Sequence, residues 1–170
     1  MGSAVSNTAA SLTVAGIIEI ATAAETTTGT DATRAVSPDG LAGSDYGKKV
    51  VSIKVFDDAT AATIGDGKSI YRIPATMNGY NLVAVAACVT GASSSGALTI
   101  QVRNITQAAD MLTTAITIDV SELDTLTAAV AAVIDAANDD VATGDQIAID
   151  VDGAGTSAEG LLVELTFQLP

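Results

Sequence analysis

At 170 residues the chain suits one ordinary domain plus an appended arm, and its 7 Lys and Arg against 20 Asp and Glu give a formal charge of −13. That charge repels phosphate backbones and anionic lipid, which argues against nucleic acid and membrane as partners, and no apolar run approaches the ~18 residues of a membrane span. Hydrophobic residues make up 48% of the chain but aromatics only 3%, and histidine is absent, so the core is built of small aliphatic side chains and the commonest general base is missing.

The start Met1-Gly2-Ser3-Ala4-Val5-Ser6 matches a myristoylation pattern that is short and common, and no basic region followed by an apolar one suggests a secretory signal. Residues 1–48 are rich in Ala, Thr, Ser and Gly, with one apolar patch at Gly16-Ile17-Ile18-Glu19-Ile20, and read as an extended N-terminal arm. Inside it, Ser37-Pro38-Asp39-Gly40-Leu41 has the order of an N-cap, a proline at the first helical position and an acid near the positive helix end, so a very short helix is expected there.

From about residue 49 the period becomes two. Val51-Ser52-Ile53-Lys54-Val55, Leu98 to Arg103 and Ile147 to Asp152 alternate apolar with polar residues and predict half-buried strands. The segment Leu161 to Leu169 alternates as cleanly, with Leu161, Val163, Leu165, Phe167 and Leu169 on its inner face. Turn residues fall between them at Gly65-Asp66-Gly67, Asn78-Gly79, Gly91 to Gly96, Asn138-Asp139-Asp140 and Gly153-Ala154-Gly155. The expected fold is all-β, an antiparallel β-sandwich that is jelly-roll-like, over residues 49–170. Residues 121–137 stay ambiguous: Leu123, Leu126, Val130, Val133 and Ile134 fit helical spacing, and an extended crossover competes.

Little here looks like chemistry. Gly65-Asp66-Gly67-Lys68-Ser69 resembles the end of a phosphate-binding loop, but Ala62 stands where a glycine is needed and a strand follows, so a hairpin turn is the better reading. Cys88, with no imidazole to activate it, reads as a small core residue. The pairs Asp57 with Asp58 and Asp150 with Asp152 read as solvated faces, with Asp150 and Asp152 both pointing outward. Asp139, Asp140 and Asp145 match no calcium loop, and Asn104-Ile105-Thr106 is a sequon that matters only in a secreted eukaryotic protein. No catalytic residue, cofactor or metal is assigned.

Gly16 to Thr22, then Glu25, Gly29-Thr30-Asp31, Arg34-Ala35-Val36-Ser37-Pro38 and Leu41, about 26 positions, resemble the short connector repeat of tailed-phage tail-fibre and related virion proteins. Ile73 to Leu82, Arg103-Asn104, Asp110-Met111-Leu112 and Gly144-Asp145 are similar to β-sandwich domains of phage surface proteins. The resemblance implies a non-enzymatic structural protein on the virion surface. Two placements follow from it: a capsid decoration (cement) protein on the major capsid protein, stabilising the head, or a tail-fibre or receptor-binding protein among tail proteins recognising a host-surface glycan. The short chain has no shaft, which favours decoration of the capsid exterior. The thin aliphatic core and the resemblance together point to a homo-oligomer, a trimer, and Ile17, Ile18, Ile20, Ser37, Pro38 and Leu41 are the expected anchoring residues.

Overall fold

The alternating segments do become strands. The computed structural model describes residues 18–170, which divide into a unit ending at Lys48 and a second unit from Lys49 to Pro170. Ile17 and the myristoylation-like start lie outside the described residues. The first unit holds β1 (Ile20–Ala21), α1 (Ala23–Thr28), β2 (Ala35–Val36), α2 (Pro38–Ala42) and a 3-10 turn, Asp45–Gly47. Its strands pair in parallel, Ile20 with Ala35 and Ala21 with Val36. The described part of the expected extended arm is therefore folded, with the short helix where Ser37 and Pro38 called for it.

The second unit continues with β3 (Lys49–Ala61), β4 (Gly65–Arg72), a 3-10 turn at Ala75–Met77, β5 (Tyr80–Gly91) and β6 (Leu98–Asn104). Three short strands follow, β7 (Ala109–Asp110), β8 (Leu112–Thr114) and β9 (Ile116–Ile118), then β10 (Val133–Ile134), β11 (Asp140–Val141), β12 (Gln146–Ala154) and β13 (Glu159–Gln168). The larger strands form two antiparallel sheets, one in the order β11-β5-β13-β3 and the other β4-β12-β6-β7, with β9 also pairing β6. The fold is an all-β sandwich. Consecutive long strands pass from one sheet to the other, so β3 is joined to β4, β5 to β6 and β12 to β13 across the core rather than as hairpins within a sheet.

Period two decides which side chains meet. Leu161, Val163, Leu165 and Phe167 of β13 and Leu82 of β5 are fully buried, as are Leu98, Ile100 and Val102 of β6 and Ile147, Ile149 and Val151 of β12, and all belong to one cluster. Fully burying an aliphatic side chain of this kind is worth about 1.5–3 kcal/mol, and one face of each sheet is built from them. Leu169, expected to continue that face, lies past the end of β13 and is exposed.

Three expectations are corrected. Gly65-Asp66-Gly67 is not a hairpin turn but the bulged start of β4: Ile149 pairs with Ser69 and Val151 with Gly65, so two steps along β12 oppose four along β4. Gly67 takes φ +59° there, a conformation that a side chain disfavours even though open space surrounds the position. Residues 121–137 form no helix; they cross over in turns and bends, with a bridge between Asp124 and Cys88 and the short strand β10. The helical spacing lost because the segment lies along the stretch of β5 that β11 leaves unpaired, where Val89 N–H donates to Leu123 C=O and Thr125 N–H to Ala87 C=O (2.8 and 3.2 Å). Cys88 is exposed on the outer face of β5, opposite Leu162, because Ala87 and Val89 take the inward positions.

Candidate anchoring surface

The first unit is built from the ends of its helices. Thr22 caps α1: its Oγ1 accepts from Glu25 N–H (3.3 Å), and Glu25 Oε2 accepts from Thr22 N–H (3.0 Å), a complete capping box. Gly29 closes the helix in the left-handed conformation, with φ 67°. Ser37 caps α2 by accepting from Gly40 N–H (2.9 Å), and Pro38 occupies the first turn. A Cβ on Gly40 would lie 3.0 Å from Ala21 C=O and 3.1 Å from Ser37 Oγ, so a side chain there would press on the close passage of α2 over β1.

Arg34 ties the ends together. Its guanidinium reaches Glu19 (3.2 Å), Asp31 (3.2 Å) and Glu25. The Thr22 amide and hydroxyl, helped by Arg34, hold the Glu25 carboxyl below its ordinary range, and the Thr33 hydroxyl and amide do the same for Asp31.

What the unit buries and exposes is inverted. Among the described residues its buried positions are Ala21, Thr26, Gly40 and Ser44, small or polar residues with local hydrogen bonds such as Thr26 Oγ1 to Thr22 C=O (2.9 Å). Among the described residues its larger apolar side chains, Ile18, Ile20, Val36, Leu41 and Tyr46, are exposed. Among the expected anchor residues, Ile18, Ile20 and Leu41 present apolar surface, whereas Ser37 and Pro38 act as the start of α2 and hold Leu41 in place. Ile17 lies outside the described residues. Val36 and Tyr46 were missed by sequence reasoning; the two-residue strand that aligns Val36 beside Ala21 is too short to show a period.

The sandwich uses its polar residues for structure. Asp150 points to the outer face as expected but is covered there, not solvated. It accepts from Arg103 Nε (2.5 Å) and Nη2 (3.1 Å) and from Gly67 N–H (2.5 Å). The glycine loop that resembled a phosphate cradle thus holds the chain's own carboxylate. Burial pushes the Asp150 carboxyl up, and the Arg103 and Gly67 hydrogen bonds together outweigh it, leaving it below its ordinary value. Neighbouring Asp152 is exposed yet pushed up, by partial burial and then by Asp150, Asp66 and Asp110.

Asp145 is buried and clamps its loop, accepting from Asn104 Nδ2 (2.9 Å), Ala142 N–H (3.0 Å) and Gln107 Nε2 (3.2 Å). Asn104, the sequon residue, is fully buried in the folded chain. Among the described residues no group of three His, Cys, Asp or Glu side chains is placed to hold a metal ion, and no helix is long and apolar enough to cross a membrane. Comparison with protein-family models, with curated proteins and with solved structures finds no match to this chain.

Proposed function

We propose that the chain is a non-enzymatic structural protein of a tailed-phage virion, a trimeric decoration protein that binds the outer capsid surface through its first unit and displays the acidic sandwich. The observation that carries this reading is the inversion of the first unit. A fold that keeps small and polar residues inside and sets Ile18, Ile20, Val36 and Leu41 outside has apolar surface to give to a partner. Hydrogen bonds and caps rather than a core hold that surface in shape. The Arg34 network is consistent with a rigid mount, since its charges are satisfied within the unit.

We read the sandwich as a jelly roll. Folding the strand series β3, β4, β5, β6, β9, β11, β12, β13 at its middle pairs β3 with β13, β4 with β12, β5 with β11 and β6 with β9, and the centre pairs β13 with β5 and β12 with β6. That nesting is the pattern of two interlocked Greek keys, found in viral capsid and lectin domains among others, and so it fits a virion protein without choosing head or tail.

The test is co-sedimentation of the purified full chain with capsids that lack it. Saturable binding at a fixed number of copies per capsid is the expected result. Absence of binding, together with retention on host-surface glycan, would transfer the protein to the tail as a receptor-binding component.

A further inference from the structure

We infer that the chain carries a processing site at Lys48 and Lys49, where an endoprotease specific for basic residues cuts the folded protein and leaves a sandwich fragment that resists further cutting. This inference does not rest on the virion reading above.

The sequence offers such a protease seven residues: Arg34, Lys48, Lys49, Lys54, Lys68, Arg72 and Arg103. The fold withholds five of them. Arg34 is held by Glu19, Glu25 and Asp31, and Ala35 after it is paired in β2. Lys54 lies inside β3, opposite Leu162 of β13, and Lys68 lies inside β4, where the next residue, Ser69, pairs with Ile149. Arg72 ends β4 opposite Gln146, and Ile73 after it is fully buried with its N–H donated to Asp145 C=O (2.8 Å). Arg103 sits in β6 between β12 and β7, is bound to Asp150, and is followed by the fully buried Asn104. Of the seven, only Lys48 and Lys49 are exposed and followed by an exposed residue, Lys49 and Val50 in turn.

The backbone there suits a protease, which takes up its substrate as an extended strand. Lys48 is extended, with φ −72° and ψ 145°, and β3 is the last strand in its sheet, so no strand of that sheet lies along its other side. Opening the segment uncovers little. The 3-10 turn at Asp45–Gly47 has no side-chain cap, Val50 is 62% exposed, and the first buried residue of β3 is Ile53. Exposed stretches of this kind, with few buried side chains to hold them, are where folded chains are nicked. Charge favours the same place: the chain carries −13, yet Tyr46 to Phe56 holds three lysines and no acid, a cationic stretch for an anionic specificity pocket.

Hydrolysis adds one water across the bond, leaving a carboxylate on Lys48 or Lys49 and an amino group on the residue that follows. The C-terminal product keeps the cluster around Phe167 and Ile149, whose buried residues begin at Ile53, and so stays closed to the protease.

The experiment is limited digestion of the full chain with trypsin, read by intact-mass spectrometry, on the wild type, on Lys48→Gln with Lys49→Gln, and on Lys48→Arg with Lys49→Arg. The first wild-type products are expected to meet after Lys48 or after Lys49. They should form about 100-fold or more faster than any cut at the other five residues, which needs the paired strands to open. The Gln variant should lose this cut and the Arg variant keep it. The ion pair that the Gln variant gives up, Lys48 with Asp45, is exposed, so its circular dichroism spectrum should match the wild type. Should that variant fail to fold, the position of the first wild-type cut decides alone. A first cut at Arg34, Lys54, Lys68, Arg72 or Arg103, a folded Gln variant digested at the wild-type rate, or a wild type left whole until it unfolds would each overturn the site.

Discussion

Replacing Ile20, Val36 and Leu41 together by serine removes three of the five larger apolar side chains that the described residues of the first unit expose, and leaves its caps and ion pairs in place. The three side chains are 54%, 51% and 47% exposed, so about half of each remains for a partner to cover. Complete burial of such side chains is worth about 1.5–3 kcal/mol, which makes the available half about 0.7–1.5 kcal/mol apiece and about 2–4.5 kcal/mol for the three. At about 1.4 kcal/mol for each factor of ten, the triple variant should bind capsids about 30-fold to about 1,000-fold more weakly. The β1–β2 pairing is made by backbone groups and the Ser37 cap is untouched, so the unit should keep its fold. The assay is titration of capsids lacking the protein, with amide nuclear magnetic resonance spectra of the free variant as the control. Binding within threefold of wild type, with the spectrum preserved, would refute the anchoring argument.

Other consequences follow from the same contacts. Asp150→Asn keeps the size of the side chain but removes the charge between Arg103 and Gly67 N–H, and should lower stability by about 2–3 kcal/mol in urea unfolding; a loss below about 0.5 kcal/mol would show that the pair is not structural. Glu25 and Asp31 have lowered folded pKa values, so their contribution is present above the ordinary carboxylate range and is lost as pH falls through the folded values. The Thr22 and Thr33 amide resonances should therefore move toward random-coil positions below about pH 4, and amides unmoved down to pH 2 would contradict this. Asp152 has the opposite sign: its raised value means that stability falls as pH rises through it, so Asp152→Asn should raise the melting temperature at pH 7 and not at pH 2.5. Deleting residues 1–48 should leave a cooperatively folded sandwich, since the cluster around Phe167 and Ile149 draws on residues from Ile53 onward; a fragment lacking a cooperative thermal transition would show otherwise.

The strands that alternate strictly were legible because period two is a backbone property that a buried face turns into sequence. Leu161, Val163, Leu165 and Phe167 needed no tertiary information to be placed. The crossover was not legible: Leu123, Leu126, Val130 and Val133 have helical spacing, and only the edge of β5 at Ala87 and Val89, supplied from distant sequence, holds the segment in turns beside it instead of a helix. Asp150 was assigned to the correct face, but its burial depends on a bulge in β4 and on Arg103 two pairs along the neighbouring strand, neither of which leaves a local mark. In the first unit the caps were readable from Ser37 and Pro38, whereas the inversion was not, because exposure of Ile20 and Val36 follows from how little lies beneath them.

Where the protein sits on the virion is the most direct test. Cryo-electron microscopy of intact virions should show the sandwich as threefold density on the outer face of the capsid, with Ile20, Val36 and Leu41 of the first unit turned toward the shell. Density on the tail, or a first unit turned to solvent while the sandwich meets the capsid, would contradict it.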